Sequence, residues 1–150
     1  MNMSNHVISR NVCGIMVATV LLCTASPLWA GPLSAQITEA RNDRGVVRCG
    51  LFKEATTWRN EDQAWRTVDA SLQSGQAQCD FGTVPPGDYA IAVFHAEHNE
   101  AKVSYGFLGK PKQGVGFSNN PSITFGAPDF AEAVFRVDTH ALVLPIHLTY

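Results

Sequence analysis

Val84-Pro85-Pro86-Gly87-Asp88-Tyr89-Ala90-Ile91-Ala92-Val93-Phe94-His95 is the stretch that decides the fold. Two prolines, a glycine and an aspartate form a tight turn, because Pro presets φ and Gly admits backbone conformations closed to other residues. The run from Tyr89 to Phe94 is nearly continuous in apolar character, which predicts a strand in the middle of a packed structure.

Segments on either side repeat the β pattern. Leu33, Ala35 and Ile37 alternate with polar neighbours, and Val46 to Phe52 follows the turn signal Asn42-Asp43-Arg44-Gly45. Arg66, Val68, Ala70 and Leu72 share one face of a further strand, and Gln76 to Phe81 follows the Ser74-Gly75 break. Near the end, Leu142, Leu144, Ile146, Leu148 and Tyr150 point to one side while Val143, Pro145, His147 and Thr149 point to the other. Pro145 has no ladder donor, so this strand borders its sheet or turns that position outward. Two stretches suit helix. Lys53 to Trp65 holds a helical turn or an irregular loop, and Pro128 to Phe135 reads as a turn of helix leading into a strand. Many short strands joined by turn residues predict an all-β sandwich of two sheets with about seven strands.

The first 30 residues stand apart. Arg10 precedes the apolar run Val12 to Thr24, which has the length of a signal-peptide core and is short for a membrane span. Pro27 and the small Ala30 follow, so residues 1–30 are expected to be a signal peptide cleaved after Ala30, with a site nearer Ala35 as the alternative. Residues 31–150 then form one domain in the periplasm or outside the cell, carrying ten basic against thirteen acidic side chains. That mildly acidic balance, without a basic block, offers nucleic acid no footprint, and no second apolar run reaches transmembrane length. Cys13 and Cys23 leave with the leader. Cys49 and Cys79 remain, and in an exported chain they are expected to form a disulfide.

The turn ahead of Tyr89 resembles the Gly-x-Tyr turn of transthyretin-like and related immunoglobulin-like sandwiches. The resemblance implies that the Tyr89 ring enters the core and its hydroxyl bonds a nearby backbone group. Together with the strand ending in His95, the segment Gly109-Lys110-Pro111-Lys112-Gln113-Gly114-Val115-Gly116-Phe117-Ser118-Asn119-Asn120, the stretch Pro128 to Phe135 and the closing strand, the chain resembles the secreted bacterial family catalogued as domain of unknown function 2141. Membership implies the β-sandwich and export but no activity. Relatives typically carry an oxygen-rich loop after the histidine that looks like a calcium site. This chain keeps His95 and Glu97 but has Ala96, His98, Glu100, Ala101 and Ser104 at the other positions, so most oxygen donors and the turn glycine are missing.

Two groups of residues are candidates for function. His95, Glu97 and His98 offer two imidazoles and a carboxylate, donors suited to zinc or copper. On an extended strand His95 and Glu97 share a face and His98 points away, so joint ligation needs a bend; otherwise they are a packed histidine beside a solvated loop. Tyr105, Phe107, Lys110, Lys112, Phe117, Ser118, Asn119 and Asn120 lie in a glycine-rich segment and read either as a recognition surface or as close backbone packing. Trp58 and Trp65 suit a sugar platform or partly buried packing. Neither a G-x-S-x-G elbow nor an HExxH motif occurs.

These features predict a binding or interaction module of the cell envelope rather than an enzyme, with no cofactor. Its partner would be an envelope protein, a peptide or a carbohydrate. The alternatives are a metal-binding protein or small hydrolase using His95, Glu97 and His98, and a structural envelope protein.

Overall fold

A computed structural model of the chain describes residues 30–124 and 126–150. The leader reading, with Cys13 and Cys23, falls on residues outside the described ones. Eight strands follow in order: β1 Gly31–Thr38, β2 Val46–Phe52, β3 Arg66–Ser71, β4 Ala77–Val84, β5 Gly87–Ala96, β6 Val115–Phe117, β7 Phe135–Val137 and β8 Leu142–His147. A short helix, α1, spans Phe130–Ala133. Its first turn is closed by the Glu132 carboxylate, which accepts from the Asp129 N–H at 2.8 Å. The stretch Lys53 to Trp65 is turns and a single 3₁₀ turn at Glu61–Gln63.

The strands form two sheets, so the protein is an all-β sandwich. One sheet has the order β4-β1-β8 and the other β3-β2-β5-β6, with β7 pairing the start of β5. β1 runs antiparallel to β4 and parallel to β8, with Ala35 opposite Leu144 and Ile37 opposite Ile146. In β2, Val47, Cys49 and Leu51 face the other sheet; in β5, Tyr89, Ile91, Val93 and His95 do so. They meet Leu33, Ala35, Ile37, Phe81 and Ile146 in one core.

The opposite face of β5 is also covered. Ala90, Phe94 and Ala96 join Val115, Phe117 and Ala133 in a second cluster, with Trp58, Val103, Ile123 and Phe130 packed on it. Trp58 is its keystone. The ring lies 5.3 Å from Phe52, 5.9 Å from Phe117 and 5.8 Å from Phe130, and its indole N–H donates to the Pro128 carbonyl. An indole satisfied this way packs without a stranded donor. Trp65 is flanked by Lys53, 4.0 Å from the ring centroid, and by Arg66 at 4.7 Å. Trp58 is thus used in packing, and cationic side chains lie over the exposed Trp65 ring.

The turn before β5 holds its tyrosine inward. Tyr89 is buried, and its hydroxyl donates to the Pro85 carbonyl at 2.9 Å. Sheet edges are shielded individually. Arg66 reaches from β3 to the carbonyls of Phe81 and Thr83 on β4. On β8, an edge strand, the Asn120 amide donates to the Pro145 carbonyl at 2.9 Å and its oxygen accepts the His147 N–H at 2.9 Å. Val115 and Thr149 then exchange backbone bonds and tie β6 to the chain just beyond β8.

Cys49 of β2 and Cys79 of β4 form a disulfide across the core, joining the two sheets with a Cα separation of 6.4 Å. The bridge closes a 30-residue separation, so it limits the freedom of the unfolded chain. Replacing both cysteines by Ser is expected to lower stability by about 2–4 kcal/mol. Urea denaturation should show the same loss when the wild-type protein is reduced and no further loss when the double variant is.

Candidate functional site

His95 is the last but one residue of β5 and is fully buried. Its Nε2 lies 2.7 Å from the Arg44 carbonyl and its Nδ1 lies 2.7 Å from the Tyr150 hydroxyl. A carbonyl only accepts, so in the neutral ring the proton sits on Nε2 and Nδ1 accepts from Tyr150. Burial pushes the Tyr150 hydroxyl up from its ordinary pKa, which keeps it a donor. The Arg44 carbonyl is brought there by the turn at Gly45, whose φ is +68°. A Cβ at Gly45 would lie 1.9 Å from the Ala96 carbonyl oxygen, so only glycine fits.

Glu97 is anchored beside this histidine. Arg41 places Nε and Nη2 each 2.6 Å from Oε1, while Asn42 donates to Oε2 at 3.0 Å and Arg44 at 3.3 Å. Those donors hold the carboxyl below its ordinary pKa, with the Asn42 amide the largest cause. The Arg41 guanidinium also stacks 4.6 Å from the Tyr150 ring centroid, closing a network that links the β1–β2 turn, the end of β5 and Tyr150.

His98 takes no part in it. Its ring is solvent-exposed and turns to Glu100, 3.4 Å away, and its backbone N–H donates to the Glu100 carboxylate at 2.9 Å. That N–H is the main reason the Glu100 carboxyl is pulled down to about 2. The structure therefore does not bring His95, Glu97 and His98 together: one histidine has both nitrogens engaged in the interior, the carboxylate is spent on arginines and an asparagine, and the other histidine faces water. Among the described residues, no group of three or more His, Cys, Asp and Glu side chains is placed to hold a metal ion.

The glycine-rich segment divides in two. Phe117 and Ser118 are buried. The Ser118 hydroxyl accepts the Ile91 N–H at 2.9 Å and donates to the Ala133 carbonyl. Asn119 donates to the carbonyls of Glu132 and Val134, and Asn120 caps the β8 edge. Both asparagines have positive φ, 65° and 48°, a conformation Asn tolerates better than most residues. These four side chains fasten the segment to the sandwich, as the packing alternative of the two sequence readings has it, and not as a recognition surface. Tyr105, Phe107, Lys110 and Lys112 are instead exposed, on a finger that leaves the body of the protein.

Between that finger and the loop 53–65 a cleft of about 1270 Å³ opens over the outer face of β2, β3 and β5. Gly50 and Ala92 leave its floor low, and Phe52, Phe94 and Phe117 supply apolar surface. Arg48 adds charge. It is paired with Asp69 at 2.7 Å and bonded to the Glu100 carbonyl at 2.9 Å. Lys102 and Asp62 form an ion pair between the two walls, and residues 121–124 with 126 and 127 line a third side. The sequence reading missed this site, because its floor is a set of alternate positions on three strands that only pairing brings together. The one local signal was the pair of small residues, Gly50 and Ala92, facing outward between bulky neighbours.

Fold and site define a disulfide-bridged, two-sheet β-sandwich with a loop-walled cleft on one outer face. The chain belongs to the DUF2141 family, described as uncharacterized protein conserved in bacteria, whose profile matches residues 35–143. No curated protein matches it in sequence. Among solved structures it is similar to a candidate adhesin from Bacteroides ovatus, at 10% identity and a TM-score of 0.34, over 90% of this chain and 50% of that one. The chain thus spans half the length of that protein, and so low a likeness carries no argument about function.

Two outcomes follow from the geometry. Phe117→Ala is expected to cost about 3–5 kcal/mol in urea denaturation, as a buried aromatic does, whereas Phe107→Ala changes stability by less than about 0.5 kcal/mol. Because the folded carboxyls of Glu97 and Glu100 sit below their ordinary 4.5, their support for the fold is complete above that pH and is lost as pH falls through the lowered folded values, which for Glu100 is about 2. Glu97→Gln should therefore flatten the acid limb of the stability–pH profile. At neutral pH it should cost only about 1–2 kcal/mol, since Arg41 and Arg44 are half exposed or more and rehydrate.

Proposed function

We propose that this chain is an exported binding module of the cell envelope, and that it takes its ligand in the cleft over β2, β3 and β5. The observation that carries the reading is the cleft itself: about 1270 Å³, above the range of roughly 300–1,000 Å³ usual for small-molecule sites. A short peptide or an oligosaccharide suits that size. Apolar floor and charged rim together match a ligand with a hydrophobic face and polar edges.

Binding without chemistry is the form this takes. The described lining contains no histidine, and its cysteine, Cys49, is bound in the disulfide. The titratable groups nearest to a catalytic pattern, His95 and Glu97, are engaged by backbone, arginine and asparagine. Export is supported by the leader pattern and by a disulfide, which persists in oxidising compartments. Among the described residues no helix is long and apolar enough to cross a membrane.

The test is a thermal-shift screen with envelope oligosaccharides and short peptides. One class is expected to raise the melting temperature saturably. Ala92→Phe, which fills the floor, and Thr67→Arg, at its exposed margin, should each abolish that rise. Thr67→Arg should leave stability within about 0.5 kcal/mol of wild type. A ligand that stabilises both variants as well as the wild type would place binding elsewhere.

A further inference from the structure

We propose that residues 104–112 form a wedge that inserts into an anionic phospholipid bilayer. Tyr105, Leu108, Gly109, Lys110 and Pro111 also wall the cleft, so the finger is tested with vesicles alone, and its failure there leaves the cleft reading untouched.

The segment is a narrow two-armed finger. Tyr105 bridges to Pro111, Gly106 donates to the Lys110 carbonyl at 2.8 Å, and Lys112 donates to the Ser104 carbonyl at 2.9 Å. Its root is fixed. The buried Gln113 side chain accepts the Ser104 N–H at 2.9 Å and donates to the Ser104 hydroxyl at 3.0 Å. At the far end, Phe107 is 88% exposed and Leu108 is 80% exposed.

Both residues break local rules. Leu108 has φ 60° and ψ 24°, and a turn in that conformation favours Gly, Asn or Asp. Water favours a polar side chain at a projecting apex, yet the two most outward positions are a phenylalanine and a leucine. When local turn chemistry and solvation are violated at the same residues, function is the expected reason. Leu108, Gly109 and Lys110 also line the cleft and Phe107 does not, yet both apolar tips remain open to water; such a tip needs no pocket to enter lipid, where the acyl chains close around it.

Charge identifies the lipid. Residues 101–112 contain Lys102, Lys110 and Lys112 and no acidic side chain, in a chain whose net charge is −2. Lys102 is paired with Asp62, whereas Lys110 and Lys112 make no ion pair among the described residues. They flank the apex, where their stems can lie along the apolar tip while the ammonium groups meet phosphate. Tyr105 is 56% exposed at the shoulder, the level at which an amphipathic ring sits at a membrane interface.

The experiment uses the chain as recovered from an exporting host, with vesicles of phosphatidylethanolamine and phosphatidylglycerol and a neutral phosphatidylcholine comparison. Amide exchange within 104–112 should slow on adding the anionic vesicles and not the neutral ones; this local reading reports on the finger whatever residues 1–30 contribute. Phe107→Ala with Leu108→Ala should lower the partition coefficient by about 30-fold, and Lys110→Gln with Lys112→Gln by about 10-fold at low salt. Unchanged exchange in the finger, or equal partitioning of the apolar variant, overturns the proposal. So does protection of the finger by an envelope protein when vesicles give none, which would make it a protein-docking tip.

Discussion

Strand β5 carries apolar side chains on both faces, and both must be kept from water. Its inward residues Tyr89, Ile91 and Val93 are covered by the β4-β1-β8 sheet. Its outward residues Ala90, Phe94 and Ala96 have no second sheet above them, so loops must cover them. Much of the remaining architecture answers that demand. Trp58 brings one loop down onto Phe52, Phe117 and Phe130, and α1 supplies Ala133 to the same cluster. Loops are poor covers, because their backbone groups also need partners. Ser118, Asn119 and Asn120 provide many of those partners, which is why so polar a run lies against the core.

The same demand shapes the cleft. Covering is least over Gly50 and Ala92, where little apolar surface calls for it, and the cleft extends from there to the edges of Phe52, Phe94 and Phe117. Near that gap Arg48 and Asp69 satisfy each other and Lys102 pairs with Asp62. Part of the rim is thus occupied by charges that already have partners, while Arg59, Glu61 and Lys110 on the same rim make no ion pair among the described residues.

Most strands were legible because alternation and turn residues are local signals, whereas β6 at Val115–Phe117 was hidden in a segment read as a glycine-rich loop. Leu33, Ala35 and Ile37, the run Tyr89 to Phe94, and Leu142 to Leu148 all took the faces their patterns implied, and Pro145 fell on an edge strand. Cys49 and Cys79 had only each other within residues 31–150. Partners far along the chain were not legible. Nothing near Glu97 indicates that Arg41, Asn42 and Arg44 converge on it, since that depends on how β1, β2 and β5 align. Nor does the sequence distinguish Asn120 as a strand cap from an asparagine that binds a partner, because both uses need the same carboxamide. Composition reveals which groups a segment can offer; only topology decides whether the protein has already taken them.

The parallel pairing of β1 with β8 has a consequence in time. β1 is the centre of its sheet, yet one of its neighbours is the last strand in the chain. Until residues 142–147 are present, that side of β1 has no partner and Leu33, Ala35 and Ile37 lack part of their cover. Contacts so distant along the chain form slowly, because the intervening loop must be closed before they reward it. A nascent chain of this design lacks a complete β1 sheet until β8 has been made. The Cys49–Cys79 bridge, which joins the two sheets, is then left to form when they finally meet.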